Sequence, residues 1–521
     1  MRAFQTYKKI EYYSLSVVEK LENQKISLTG WLAGFFAVVY LRMFLEIFST
    51  GKNYLFPEKW GFFLFHTPLS FLFVILFLIL VAYFFTKEKI EKIARISLFG
   101  VFILLLVPIL DLAFSQGQGE MPIKYCEIYY TISPFELPGL FWGWLTSGPA
   151  GLFFLGKPDH PFAHFEHSFG GRIEAQLIIL FFLWYIFLKT KNILKVSFGL
   201  FLFYLALFIF GTFPYIWALL LKIPPALESF YNASVLNSAF EWNKILFSLF
   251  FILTVFLAVL WFYIYNKKKC LAVLKNLKPG LALQNLAMLG FGIYLCKIPF
   301  LSFTFFDGLL LALAALSLLL YQLSRGQFLG EEFKNLNNIL LALSFISAFI
   351  VGYAFFVLLF LRALIVHIYS AYPFCLKRFP IIASFLLALV FLLTIFSGYL
   401  LNTSNSILSF PKNLALFILI AFTLGFMAKD IKDYEGDKKE KVYTLPIIFG
   451  QRQGKIIIGS LIFFVFLLTP FFFFQHFNEL ILPSIFAGIL SFWLLNRKKY
   501  RETPLFLIYF SYGLFFALTV F

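Results

Sequence analysis

Charged residues are scarce in this chain: they make up 13% of its 521 residues, while 61% are hydrophobic. A soluble domain is about a quarter charged and about half apolar. The deficit excludes an ordinary water-soluble fold, because the surplus apolar side chains must face lipid. Acids are the scarcer sign, 26 against 43 Lys and Arg, which gives a formal charge of +17. In a soluble protein that excess would point to nucleic acid. No basic, aromatic-interleaved surface segment is present, so no nucleic-acid partner is expected. Cysteine is nearly absent. Cys126, Cys270, Cys296 and Cys375 are widely spaced and form no CxxC pair, which excludes a disulfide framework and a cysteine-built zinc site. Phosphate loops of the GxxxxGK[ST] kind, a GxGxxG turn after a strand and a GxSxG elbow are all missing. The segment Met1 to Lys25 lacks the apolar core of a signal peptide, so the first apolar span is expected to act as its own insertion signal.

What is abundant is apolar sequence in runs close to the ~20 residues that cross a bilayer. Phe alone accounts for 77 residues. It suits lipid-facing and helix-packing positions equally and carries no chemistry. The runs predict six spans near 30–48, 66–85, 96–115, 174–189, 195–215 and 245–265. Nine more are predicted near 281–300, 306–323, 337–352, 354–370, 380–401, 412–428, 456–474, 479–496 and 504–521. The expected fold is therefore all-α and polytopic, since a bilayer admits only helices or closed barrels and no alternating strand pattern is present. Lys and Arg collect at 87–95, 189–195, 267–278, 377–378, 429–455 and 497–501. If the N-terminus is cytoplasmic, all of these loops fall on the cytoplasmic side, as the positive-inside rule requires, and the C-terminus lies opposite. Residues 115–171 then lie outside. Within them, Leu137 to Leu155 is broken by Pro138, Gly139, Gly143 and Pro149, which predicts a re-entrant or interfacial piece. The basic stretch Asn266 to Pro279 is the expected boundary between an N-terminal membrane domain, 1–270, and a second one, 271–521.

The most informative segment is Lys429-Asp-Ile-Lys-Asp-Tyr-Glu-Gly-Asp-Lys-Lys-Glu-Lys-Val-Tyr-Thr-Leu-Pro-Ile-Ile-Phe-Gly450. Asp430, Asp433 and Asp437 are spaced so that a helix puts all three carboxylates on one face. The segment directly follows an apolar span, at the membrane edge. Three clustered carboxylates repel one another unless they are solvated or share a cation. Mg²⁺ takes a few carboxylates together with phosphate oxygens and water, and it makes a diphosphate a good leaving group. Lys429, Lys432 and Lys438 add positive charge nearby. Spacing alone leaves a solvated, mixed-sign loop as the alternative.

The whole string resembles the second aspartate-rich motif of the UbiA superfamily of intramembrane prenyltransferases. There a D-x-x-D-x-x-x-D run precedes a basic stretch, T-L-P and a Gly, and here Thr444-Leu445-Pro446 and Gly450 occupy those places. Two further segments resemble the family. Tyr369-Ser-Ala-Tyr-Pro-Phe-Cys-Leu-Lys-Arg378 is similar to its Y-S-x-P-P-x-x-L-K-R, and Lys278-Pro-Gly-Leu-Ala-Leu-Gln-Asn285 to an R-P-x-x-x-x-K-N opening, with Gln284 in place of Lys. The resemblance covers about 270–521. It implies a nine-helix bundle, Mg²⁺ at Asp430, Asp433 and Asp437, and isoprenyl diphosphate and a hydrophobic acceptor as substrates. Asn285, Tyr369, Lys377, Arg378 and Lys432 are the implied substrate-binding residues.

One loop departs from the pattern. Where the family carries N-D-x-x-D-x-x-x-D, this chain has Tyr321-Gln-Leu-Ser-Arg-Gly-Gln-Phe-Leu-Gly-Glu-Glu-Phe-Lys334, with no aspartate. Arg325, Gly326, Leu329 and Phe333 stand at the Asn and Asp positions. Three readings follow: Glu331 or Glu332 is a displaced metal ligand, Arg325 replaces a metal by neutralising the diphosphate itself, or catalysis has been lost and the domain is a lipid-binding or partner protein.

The first half resembles no family. Arg42, Glu46, Asp111, Arg172 and Glu174 lie in or near its spans, where charge is costly and functional by default. Arg42 and Glu46, four residues apart, are expected to pair. Asp159-His160-Pro-Phe-Ala-His164-Phe-Glu166-His167 gathers half of the chain's six histidines. It reads as a solvated loop, with zinc binding or acid–base work on the outer face as the alternatives.

Overall fold

The computed structural model describes residues 2–50, 67–115, 169–203, 205, 242–275, 277–299, 303, 305–325, 334–371, 374–440, 442–497 and 502–521. Among the described residues every regular element is a helix. Eleven of these helices are long and apolar enough to cross a membrane, and Gln176–Thr190, Ile193–Phe203 and Leu336–Val351 are shorter apolar helices. The chain is an all-α, multi-pass integral membrane protein. Leu137 to Leu155, the histidine-rich stretch His160 to His167, and Glu331 and Glu332 lie outside the described residues.

Two expected spans differ in form. The one predicted near 281–300 is the 16-residue helix Pro279–Tyr294. Pro279 opens it at a position where a missing N–H is not needed, and it is over by Leu295. The span predicted near 96–115 begins earlier, at Ile90, and changes pitch part-way: Ile90–Val101 is α-helical, Phe102–Leu105 is 3-10 and Leu106–Ser115 is α-helical again. Pro108 has no N–H to bond the Leu104 carbonyl, which accounts for the tightened turn just before it.

The N-terminal stretch folds as the amphipathic helix Arg2–Glu22. Its last residue anchors it. The Glu22 carboxylate, 1% exposed, accepts from Tyr185 Oη at 3.0 Å and from Lys189 Nζ at 2.9 Å. Arg95 Nη1 donates to the Glu22 carbonyl at 3.0 Å. A carboxylate so enclosed is tolerable because it is paired and hydrogen-bonded. Deeper in the first half, the expected Arg42–Glu46 pair is present at 3.0 Å. Glu174 joins it at 3.3 Å, and Asp111 lies within electrostatic reach. Three helices thus hold one buried ionic group together.

The largest apolar cluster does not respect the linker. It includes Phe35 and Val39 of Leu28–Thr50, Ile79 of Thr67–Thr86, and Phe250 and Phe251 of Trp242–Tyr265. From beyond the linker it includes Leu310 and Leu313 of Phe305–Ser324, Ala348 of Lys334–Val351 and Leu359 of Tyr353–Ser370. A second cluster, with Ile395, Leu414 and Leu480, and a third, with Met427, Ile431, Ile458 and Phe466, build the rest of the second half. Pro279–Tyr294 and Pro380–Tyr399 cross closely. A Cβ on Gly292 would collide with the Ile395 carbonyl, and one on Gly398 with the Leu289 carbonyl.

Candidate functional site

The acidic segment is positioned by the apolar residues between its acids. The helix Lys412–Phe426 passes through Met427 into the short helix Ala428–Lys432. Met427, Ala428 and Ile431 are buried in the third cluster, while Asp430, Asp433 and Asp437 remain half-buried. The single helix expected for the three acids is interrupted at Asp433 (φ −84°, ψ 4°), and a new one runs Tyr434–Glu440. Backbone bonds from Asp433 N–H to the Lys429 carbonyl (3.1 Å) and from Asp437 N–H to the Asp433 carbonyl (2.9 Å) carry the four-residue repeat across the break. The acids therefore stay together: Asp430 is within electrostatic reach of Asp437 and Asp433, and Tyr369 within reach of all three. Lys429 approaches Asp433 at 3.7 Å.

Cationic residues from other helices meet at the same end of the bundle. Arg325, at the end of Phe305–Ser324, donates from Nη2 to Ser370 Oγ at 2.7 Å, one residue from Tyr369. Gln322 donates to the Leu277 carbonyl, which ties the start of Pro279–Tyr294 to this end. The turn Leu376–Arg378 lies against the chain that follows the acidic segment, since Tyr443 N–H donates to the Arg378 carbonyl at 3.3 Å. Lys377 is half-buried and Arg378 exposed. The Thr444-Leu445-Pro446 string opens the short helix Leu445–Phe449, and Gly450 follows it at φ +82°, a left-handed value that suits glycine. A Cβ on Gly454 would strike Pro446 backbone atoms. These motif residues are thus the hinge that folds the acidic segment back onto Gln451–Phe472.

Two expected site residues point elsewhere. Lys432 pairs with Glu502 at 2.7 Å, an exposed pair that contributes little to stability. Asn285 is 1% exposed, and its Oδ1 accepts from Arg362 Nη2 at 2.8 Å. Glu331 lies outside the described residues; of the departing loop, Arg325 is described, and it reaches Ser370, the neighbour of Tyr369.

Among the described residues no group of three or more His, Cys, Asp or Glu is close enough to hold a metal ion by itself. An open set of half-buried carboxylates suits a hard cation that completes its shell with substrate oxygens and water, and Mg²⁺ is bound in this way. The donors are carboxylate oxygens, the kind Mg²⁺ takes together with phosphate oxygens and water, and among the described residues they do not form a closed protein cage.

A model of the UbiA prenyltransferase family matches residues 322–517. Over these residues the chain is similar to the UbiA prenyltransferase family. The UbiA region contains the loop of Arg325, the Tyr369–Arg378 segment and the whole acidic segment. The chain is similar to a digeranylgeranylglyceryl phosphate synthase of Methanobrevibacter smithii, 37% identical over 121 residues, which is 22% of this chain and 41% of that protein. It is also similar to a probable chloroplastic homogentisate phytyltransferase 2 of Oryza sativa subsp. japonica, 28% identical over 170 residues, 30% of this chain and 45% of the relative. The matches span less than half the length of either relative. A UbiA homolog from Archaeoglobus fulgidus, solved with DMAPP and Mg²⁺, aligns over 48% of this chain and 98% of its own at 19% identity and a TM-score of 0.33.

Sequence reading passed over one charged residue of the UbiA region. Arg362 is the single Lys, Arg, Asp or Glu in the helix Tyr353–Ser370 and is 6% exposed. A lone cation inside an apolar run was the available signal.

Proposed function

We propose that residues 271–521 form the catalytic unit and transfer a prenyl group from an isoprenyl diphosphate to a hydrophobic acceptor in the bilayer, at the cytoplasmic end of the bundle. The observation that carries this reading is the meeting of Asp430, Asp433 and Asp437 with Tyr369, whose neighbour Ser370 binds Arg325 at the same end of the helices. Asp430, Asp433 and Asp437 would hold Mg²⁺, which when bound neutralises the diphosphate as it leaves. Arg325 stands in the loop that has no aspartate. A guanidinium offers parallel N–H donors that match phosphate oxygens, so its charge takes over part of the work of the missing carboxylate–metal pair. Lys377 and Arg378 add positive charge on the same side. The donor's C–O bond breaks and its electron pair leaves with the diphosphate. The acceptor's nucleophile then attacks the allylic cation and gives up its proton. The first half, 1–270, contributes a lipid-facing surface that shares its core with the catalytic unit.

The test uses the full chain in membranes, with allylic diphosphates of increasing length and two kinds of acceptor, a glyceryl ether phosphate and an aromatic acid. The similarity to a digeranylgeranylglyceryl phosphate synthase and to a probable homogentisate phytyltransferase motivates that pair. Transfer is expected to stop with EDTA and return with Mg²⁺. Arg325→Gln is expected to raise the donor KM by about tenfold, the weight of one charge-assisted hydrogen bond. Lipid binding without turnover, unchanged by EDTA, would instead mark a carrier on a prenyltransferase fold.

A further inference from the structure

Arg362 is a buried guanidinium with no counter-ion among the described residues. It lies seven residues before Tyr369 on the same helix, a separation of roughly 10 Å along the axis. Side chains on a helix lean toward its N-terminus, which here carries the guanidinium further from the aspartates. Its polar contacts are neutral: Nη2 donates to Asn285 Oδ1 at 2.8 Å and Nη1 to Thr394 Oγ1 at 3.0 Å. The Tyr321 ring faces it, with its centroid 5.5 Å from Cζ. No carboxylate among the described residues forms an ion pair with it.

The surrounding polar atoms are also incompletely satisfied. Arg362 Nε, Asn285 Nδ2 and Tyr321 Oη are each buried with no hydrogen-bond partner among the described residues. Unpaired buried donors are rare, and each needs an explanation. Water could satisfy the donors, but it would leave the charge in place. Breaking or omitting a partner of a buried charge is strongly unfavourable. The unsatisfied donors come from three helices, Thr394 being an acceptor whose own proton goes to the Val390 carbonyl, and an anion that accepts hydrogen bonds would answer both the donors and the charge.

We propose that Arg362, with Asn285, Tyr321 and Thr394 around it, recognises an anionic head group, phosphate or carboxylate, on the prenyl acceptor. The assignment rests on the prenyl-transfer reading above. On that reading the donor's diphosphate would be held by Asp430 near Tyr369, about two helical turns from Arg362 along their shared helix, so an anion beside Arg362 would belong to the second substrate. Its head group would then sit below the diphosphate, with the nucleophile between the two.

The test is equilibrium binding to the full chain in nanodiscs, which does not require turnover. The probes are a tritiated isoprenyl glyceryl ether phosphate against the same ether with a free hydroxyl, and 4-hydroxybenzoate against its methyl ester. The first pair detects phosphate recognition and the second carboxylate recognition. The intact chain is expected to prefer the charged member of one pair by at least about thirtyfold, as a charge-assisted hydrogen bond with a buried partner implies. Arg362→Gln is expected to remove that preference, and Arg362→Lys to retain part of it. Asn285→Asp supplies an internal carboxylate of almost the same shape, so it should also abolish the preference while keeping the packing. In the transfer assay the same variants should raise the acceptor KM and leave the donor KM unchanged. Equal binding of charged and neutral members by the intact chain would overturn the proposal, as would a preference that survives Asn285→Asp and Arg362→Gln. If anionic ligands bind as expected but no transfer occurs, the catalytic reading fails and this site stands.

Discussion

Asp430→Asn is expected to lower prenyl transfer by about a thousandfold or more, the scale on which catalysis by charge neutralisation is lost. The amide keeps the volume and one hydrogen-bond acceptor, so the loss would come from charge. Asp430 is the acid nearest the apolar anchor, between buried Met427, Ala428 and Ile431, and it feels both other aspartates. Removing one of three like charges relieves repulsion in the unliganded protein. The apparent Tm should therefore stay the same or rise while activity disappears. A Mg²⁺ titration of single-turnover rates in membranes, paired with a thermal melt, reads both effects. Retention of more than about a tenth of the activity at saturating Mg²⁺ would remove Asp430 from the mechanism.

Gly292→Leu should have the largest effect on the fold. Any side chain at this position meets the Ile395 carbonyl and the Tyr399 nitrogen of the neighbouring helix. Backbone cannot turn aside as a flexible side chain can, so the two helices must separate. Overpacking of this kind costs about 1–3 kcal/mol and sometimes more. The separation would also pull Asn285, on one helix, from Thr394, on the other, and open the clamp around Arg362. A control lies two residues away: a Cβ on Gly290 meets nothing within 4 Å, and Gly→Ala in a helix interior is favourable by roughly 0.5–1 kcal/mol. Unfolding in detergent should show Gly292→Leu well below the parent and Gly290→Ala at or above it. Similar melts for both variants would mean that the crossing is looser than described.

The helices and the acidic segment were legible in the sequence for simple physical reasons. Apolar run length is set by bilayer thickness, and the Asp430–Gly450 string combines a charge repeat with a turn whose Pro446 and Gly450 both have backbone roles. Partners distant in sequence were not legible. Asn285 looked like a ligand for diphosphate, yet it meets Arg362, 77 positions along the chain. Lys432 looked like part of the site, yet it meets Glu502. Spacing within one helix shows which residues share a face but not which surface that face meets. The break at Asp433 was hidden for a related reason: the four-residue backbone repeat continues across it, and the turn goes with the burial of Ile431 and the fold-back at Pro446. The signal for Arg362 was available, one cation in the middle of an apolar helix.

The apolar cluster that crosses the linker bears on how this protein can be handled. Phe250 and Phe251 are each 1% exposed, and Leu310 and Leu313 are fully enclosed in the same cluster. Cutting the chain near Asn266 would turn an inner seam into an outer wall, with acyl chains in place of the phenyl rings. A second half prepared alone would therefore start from altered helix packing along the helix that leads to Arg325, and any rates measured on it would describe a different membrane protein from the intact one.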